Sequence, residues 1–148
     1  MLMTTDLSIE VYNEVLPLTA GDTIRKMVDE SGLDEPFDWY NTRRVFLGRK
    51  GDEPVALVAY GMATIHHKTF PRFLHIIITP QYQHCVSGYK VLVRSEEILK
   101  LEGSNQVVAY FAKNLPGRDM KKKYATKFGY KHFCSLEDGS EWYYKDIH

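Results

Sequence analysis

The sequence has little of what would commit it to a special environment. Two cysteines, Cys85 and Cys134, are too few for a disulfide framework or for a zinc site built on thiolates. No apolar run approaches the length of a membrane span; the longest, Phe73 to Ile78, already contains His75. The opening residues, Met1 to Asp6, lack the charged-then-apolar layout of a secretion signal. Net charge is absent too, because nineteen basic residues match nineteen acidic ones. Global electrostatics therefore make no case for nucleic-acid binding. There is no internal repeat, low-complexity tract or Pro/Gly/Ser-rich linker. What is present, 148 residues with 44% hydrophobic and 26% charged side chains, reads as one globular domain over residues 1–148. The expectation is a soluble, cytoplasmic protein with no metal.

Charge is balanced overall but not locally. Residues 1–40 carry nine acidic side chains against Arg25 and Lys26, and the remainder is correspondingly basic. Between Lys113 and Lys131 seven basic residues face only Asp119. That run reads either as a solvated helix face or as part of a site for an anionic ligand.

Periodicity orders the chain as strand, helices, three strands, helix, strand, helix and hairpin. Ser8 to Val15 forms the first strand. Thr19 is a candidate N-cap, with Asp22 three residues on, for a helix whose apolar face is Ile24, Met27 and Val28 and whose stop is Gly32. Pro36 to Asn41 is a short helix or a loop. Val45 to Arg49 and Pro54 to Thr64 read as strands joined by Lys50-Gly51-Asp52-Glu53. The second of these is almost wholly apolar and so central. A turn over Lys68 to Pro71 leads into a buried strand, Phe73 to Thr79, ended by Pro80. Tyr89 to Leu101 is helical, Gln106 to Phe111 a strand, and Met120, Tyr124 and Phe128 mark a last helix ended by Gly129. His132 to Leu136 and Glu141 to Ile147 close the chain as a hairpin.

The segment richest in chemistry is Ile76-Ile77-Ile78-Thr79-Pro80-Gln81-Tyr82-Gln83-His84-Cys85-Val86-Ser87-Gly88-Tyr89. A strand, a tight loop and a helix start present unpaired amides at the positive end of a helix dipole, which suits an anion. The Gly-Lys-Ser/Thr ending of a nucleotide phosphate loop is missing, and so is the three-glycine dinucleotide fingerprint. In context the segment resembles the GCN5-related N-acetyltransferase (GNAT) superfamily, whose strand ends in an apolar-x-Pro step before Arg/Gln-x-x-Gly-x-Gly/Ala. Aligned on Pro80, Gln83 takes the first position, Val86 stands for the first glycine and Gly88 for the second. Lys127-Phe128-Gly129-Tyr130 resembles the family's Lys-apolar-Gly-Phe sequence. The order of elements matches as well, over nearly the whole chain.

The resemblance implies an α/β fold: a mixed central sheet flanked by helices, antiparallel in its first half and closed by a C-terminal hairpin. It implies acetyl-CoA as co-substrate, with phosphate held around Gln83, His84, Cys85, Val86, Ser87, Gly88 and Tyr89. Pantetheine would pair with the strand at Ile76 and Ile78. An amine acceptor from the opposite side of the sheet would attack the thioester directly. Two positions depart from the pattern. Val86 replaces a glycine that lets backbone approach phosphate, and Ala125 stands where many members place a tyrosine acid. Tyr124, next to it, is the candidate acid, although its spacing with Met120 and Phe128 also suits a core stripe. His75 is the candidate base, acting through water, or else a core histidine. Asp34, Glu35 and Asp38 are candidates to attract a cationic amine. Tyr40, Tyr60, Trp142 and Tyr143 read as pocket walls or as packing, and His66-His67 lacks partners at metal-ligand spacing.

Two further readings stand beside the enzyme. One is a GNAT-like domain that has lost its chemistry and serves as a structural or interaction protein, for example in a phage virion. The other is a nucleic-acid module resting on Lys121-Lys122-Lys123, for which no motif is present. A homo-oligomer is compatible with either protein reading.

Overall fold

The computed structural model describes residues 6–13 and 21–147. One seven-stranded sheet runs β1 (Leu7–Asn13), β2 (Arg44–Lys50), β3 (Glu53–Ile65), β4 (Lys68–Ile78), β5 (Gln106–Phe111), β7 (Glu141–Asp146) and β6 (Lys131–Ser135) in that spatial order. β1 to β4 form an antiparallel meander, β4 and β5 are parallel, and β7 pairs antiparallel with both β5 and β6. The parallel step needs a crossover, and α2 (Val86–Leu101) supplies it. This is the mixed architecture expected from the sequence.

Each sheet face has its own core. On one, Phe46, Val58 and Tyr60 of the sheet meet Val91, Leu92 and Leu99 of α2. On the other, Leu47, Leu57, Ala59 and Ile77 meet Ile24 and Met27 of α1 (Asp22–Asp29), with Phe37 beside them. β3 is buried from Val55 to Gly61, as its unbroken apolar run requires of a central strand. Gly48 brings α2 close to β2, since a Cβ there would collide with Val91. Among the described residues no helix is long and apolar enough to cross a membrane.

Several boundaries differ from the sequence reading. Thr19 and Val15 lie outside the described residues, and the residue preceding α1 is Gly21. α1 ends at Asp29, before Gly32, and residues 36–41 are loop and turn. The turn expected over Lys68 to Pro71 is strand instead. β3 and β4 join through His66 and His67, both at positive φ (50° and 67°), the geometry of a two-residue hairpin turn. α2 starts at Val86 rather than Tyr89. In α3 (Arg118–Lys127) no residue is buried, so Met120 and Tyr124, and Phe128 just beyond, are not core residues.

Candidate active site

The sheet opens between its two parallel strands. β4 and β5 share a single residue pair, Arg72 with Val108. Past it β5 continues to pair with β7, whereas β4 keeps only β3. Leu74 is an extra residue in β4, inserted where the register with β3 shifts between Ala59 and Tyr60. Such a bulge bends a strand, and this one falls where β4 turns away from β5. The gap widens into a cleft of about 940 Å³, bounded by the start of α2, by α3 and by the 33–40 loop.

One end of the cleft is the β4–α2 loop. Pro80–Tyr82 is a single 3-10 turn. The Thr79 hydroxyl donates to the carbonyl of Pro54 or Val55, and Gln81 and Tyr82 both donate to Glu53, which fastens the loop to the β2–β3 hairpin. The Gln83 side-chain amide donates to the Ile78 carbonyl (3.3 Å), so it braces the loop from within. No side chain caps α2, and the amides of Val86, Ser87 and Gly88 have no acceptor among the described residues. Val86 has a negative φ in an ordinary helical turn and is 68% exposed, so the backbone there does not demand glycine. Gly88 matters for a different reason than dihedral freedom. A Cβ on it would lie 2.6 Å from Ile78 Cδ1, so the missing side chain is what lets α2 sit against β4. His84 and Cys85 are exposed at the loop tip. Tyr89 of α2 stacks on Phe128 at 5.5 Å and links the two helices that border the cleft.

The other end is built from the opposite sheet face. His75 is buried and stacks on Phe37 at 4.7 Å. Its Nε2 accepts from the Asp38 backbone N–H at 3.0 Å, which puts the ring proton on Nδ1 and ties the 33–40 loop to β4. Burial holds His75 below its ordinary pKa, so the ring is neutral at pH 7. Arg72 lies over Tyr110 (5.4 Å) and Trp142 (5.7 Å). Burial pulls its pKa down while the charge of Asp38 opposes this. Tyr124 is half exposed and lines the cleft beside Ala125.

The acidic residues are already engaged. Lys121 of α3 binds Asp34 (2.8 Å) and Glu35 (3.4 Å), which bridges the cleft mouth. Asp38 accepts from the Asn41 backbone N–H at 3.0 Å and from the Asn41 side chain at 2.7 Å. Arg118 and Lys122 both pair with Glu141, so with Lys121 three of the seven cations of the basic run are engaged within the chain. Arg72 and Tyr110 were not singled out in the sequence. The available signal was an arginine immediately before the apolar run Phe73 to Ile78. Tyr60 is core, hydrogen-bonded to Ser95, and His66 packs against Phe133. Among the described residues no group of three His, Cys, Asp or Glu could hold a metal.

No protein-family model and no curated protein sequence matches the chain. Solved structures do match its fold. An acetyltransferase from Thermus thermophilus is 17% identical with a TM-score of 0.63, covering 97% of this chain and 99% of that one. An acetyltransferase of the GNAT family from Staphylococcus aureus is 9% identical with a TM-score of 0.58, over 95% and 100%. An Arabidopsis thaliana structure in complex with the bisubstrate analogue CoA-Ac-MVNAL is 10% identical with a TM-score of 0.60, over 93% and 98%. The chain has the GNAT fold. These neighbours give no support to the phage-component alternative.

Proposed function

We propose that the protein is an N-acyltransferase that moves an acetyl or other acyl group from CoA to an amine. The observation that carries this reading is the open gap between β4 and β5, with an unpaired β4 edge leading to three unpartnered helix amides. A chain that had lost the chemistry could close that gap with side chains, because filling it would bury apolar surface at about 25 cal/mol per Å².

In this reading the amides of Val86, Ser87 and Gly88, with Gln83, His84, Cys85 and Tyr89 around them, receive the donor's phosphates. The β4 backbone from Phe73 to Ile78, including Ile76 and Ile78, pairs with pantetheine as an added strand would. The acceptor enters from the face of His75 and Arg72. Its amine, deprotonated through water, attacks the thioester carbonyl; the C–N bond forms and the C–S bond breaks. Tyr124 gives its hydroxyl proton to the departing thiolate and regains one from solvent. His75 holds the 33–40 loop and is not the base, because its lone pair is engaged by the Asp38 amide.

Calorimetric titration with acetyl-CoA tests the donor site. Micromolar binding by the wild type and its loss in Gly88→Val are expected. Equal affinity in the two proteins would remove the loop from the donor site.

A further inference from the structure

Among the charged groups that line the cleft, Arg72 is one whose chemistry the reaction just described leaves unused. Its Nε is buried without a hydrogen-bond partner, and among the described residues no hydrogen bond or ion pair reaches its guanidinium. The flanking rings of Tyr110 and Trp142 stabilise the cation through their faces but satisfy none of its five N–H groups. Both oxygens of the neighbouring Asp38 are taken by Asn41, and Lys121 is taken by Asp34 and Glu35.

Position excludes the donor's phosphates as the missing partner. Arg72 lies six residues before Ile78 on β4, about 20 Å along an extended strand. Its partners Tyr110 and Trp142 lie on the sheet face away from α2, whereas Ile76 and Ile78 pack toward the α2 core. It sits where the strands begin to part, on the acceptor side.

Resting on the acyltransferase reading, we propose that the acceptor is a small amine that also bears a carboxylate, an amino acid with an apolar or aromatic side chain, and that Arg72 binds the carboxylate. A planar guanidinium matches a carboxylate through two parallel N–H bonds. A single free cation beside the charge of Asp38 suits a monoanion better than a phosphate. Arg72 stands at the apex of the gap, so amine and carboxylate must be close together in the molecule. Phe37, Trp39 and Tyr110 make the surrounding wall apolar and aromatic.

The test compares the twenty L-amino acids with their carboxamides, and phenylalanine with phenethylamine, as acceptors of acetyl-CoA. Thiol release reports turnover. Calorimetry of N-acetyl-L-phenylalanine against N-acetylphenethylamine reports binding without turnover. The wild type is expected to prefer the carboxylate at least about tenfold, the scale of a charged hydrogen bond. Arg72→Gln should abolish that preference, and Arg72→Lys should retain part of it, while acetyl-CoA affinity stays unchanged in both. The inference is overturned if carboxylate and uncharged forms are handled equally, if no amino acid binds or is acetylated, or if the preference survives Arg72→Gln. Failure of the acyltransferase reading looks different: the carboxylate preference persists in binding, but acetyl-CoA neither binds nor is consumed.

Discussion

Tyr124 and His75 divide the work of the cleft by exposure. Tyr124 is half exposed and contributes little packing, so removing its hydroxyl should leave the fold alone. Tyr124→Phe is expected to lower turnover by about a hundredfold, the scale of general acid catalysis, with acetyl-CoA affinity unchanged; a loss of affinity instead would make it a binding residue. His75 is buried, and burial sets its pKa below the ordinary 6.5. Between that depressed value and 6.5 the unfolded chain holds the extra proton, so stability rises with pH across this window. The contribution is fully present above 6.5 and is lost as pH falls through the folded value. His75→Gln keeps an acceptor for the Asp38 amide and should flatten that slope in urea denaturation from about pH 5 to 7.5. The Asp34 and Glu141 carboxyls, held low by Lys121 and Lys122, titrate in a separate, more acidic window.

At the scale of elements, α2 owes its place to two missing side chains. A Cβ at Gly48 would strike Val91, whose γ carbons are β-branched, buried and unable to swing aside. A Cβ at Gly88 would press on Ile78 at the end of β4. Each glycine-to-alanine change is expected to cost about 1–3 kcal/mol by overpacking, measured by denaturant midpoint. Only Gly88→Ala should also weaken acetyl-CoA binding, because it alone shifts the helix start. The elements themselves were legible in the sequence, since two-residue and helical periods are local. Three things were not. The β3–β4 turn is made by His66 and His67, which carry none of the glycine or asparagine that usually signals positive φ. The stripe Met120, Tyr124, Phe128 has core spacing, but helical spacing cannot distinguish a face turned to protein from one turned to a cleft. Arg72 gains its setting from Tyr110 and Trp142, 38 and 70 residues further along, which meet it only through the parallel β4–β5 step.

For the whole molecule, the uneven charge along the sequence is partly resolved across the fold: Lys121 reaches Asp34 and Glu35 in the acidic first part, and Arg118 and Lys122 reach Glu141. Three of the seven cations in the basic run are therefore engaged within the chain, while among the described residues the guanidinium of Arg72 stands without an ion pair in the cleft. An open cleft this size leaves apolar surface in water, a cost that a bound ligand would remove. Ligand at a hundredfold excess over its Kd stabilises the folded state by about 2.7 kcal/mol. In a chain of this length that raises Tm by roughly 5–10 °C. Millimolar acetyl-CoA is accordingly expected to produce such a shift in a thermal melt. Ile76→Trp provides the control, because Ile76 is half buried, lines the cleft and has room on its open side. An indole there should fill the gap, keep Tm within a few degrees of the wild type and abolish the acetyl-CoA shift. If instead the wild type shows no shift while Ile76→Trp melts higher, the cleft is an unfilled void rather than a donor site, and the chain is a GNAT fold without its chemistry.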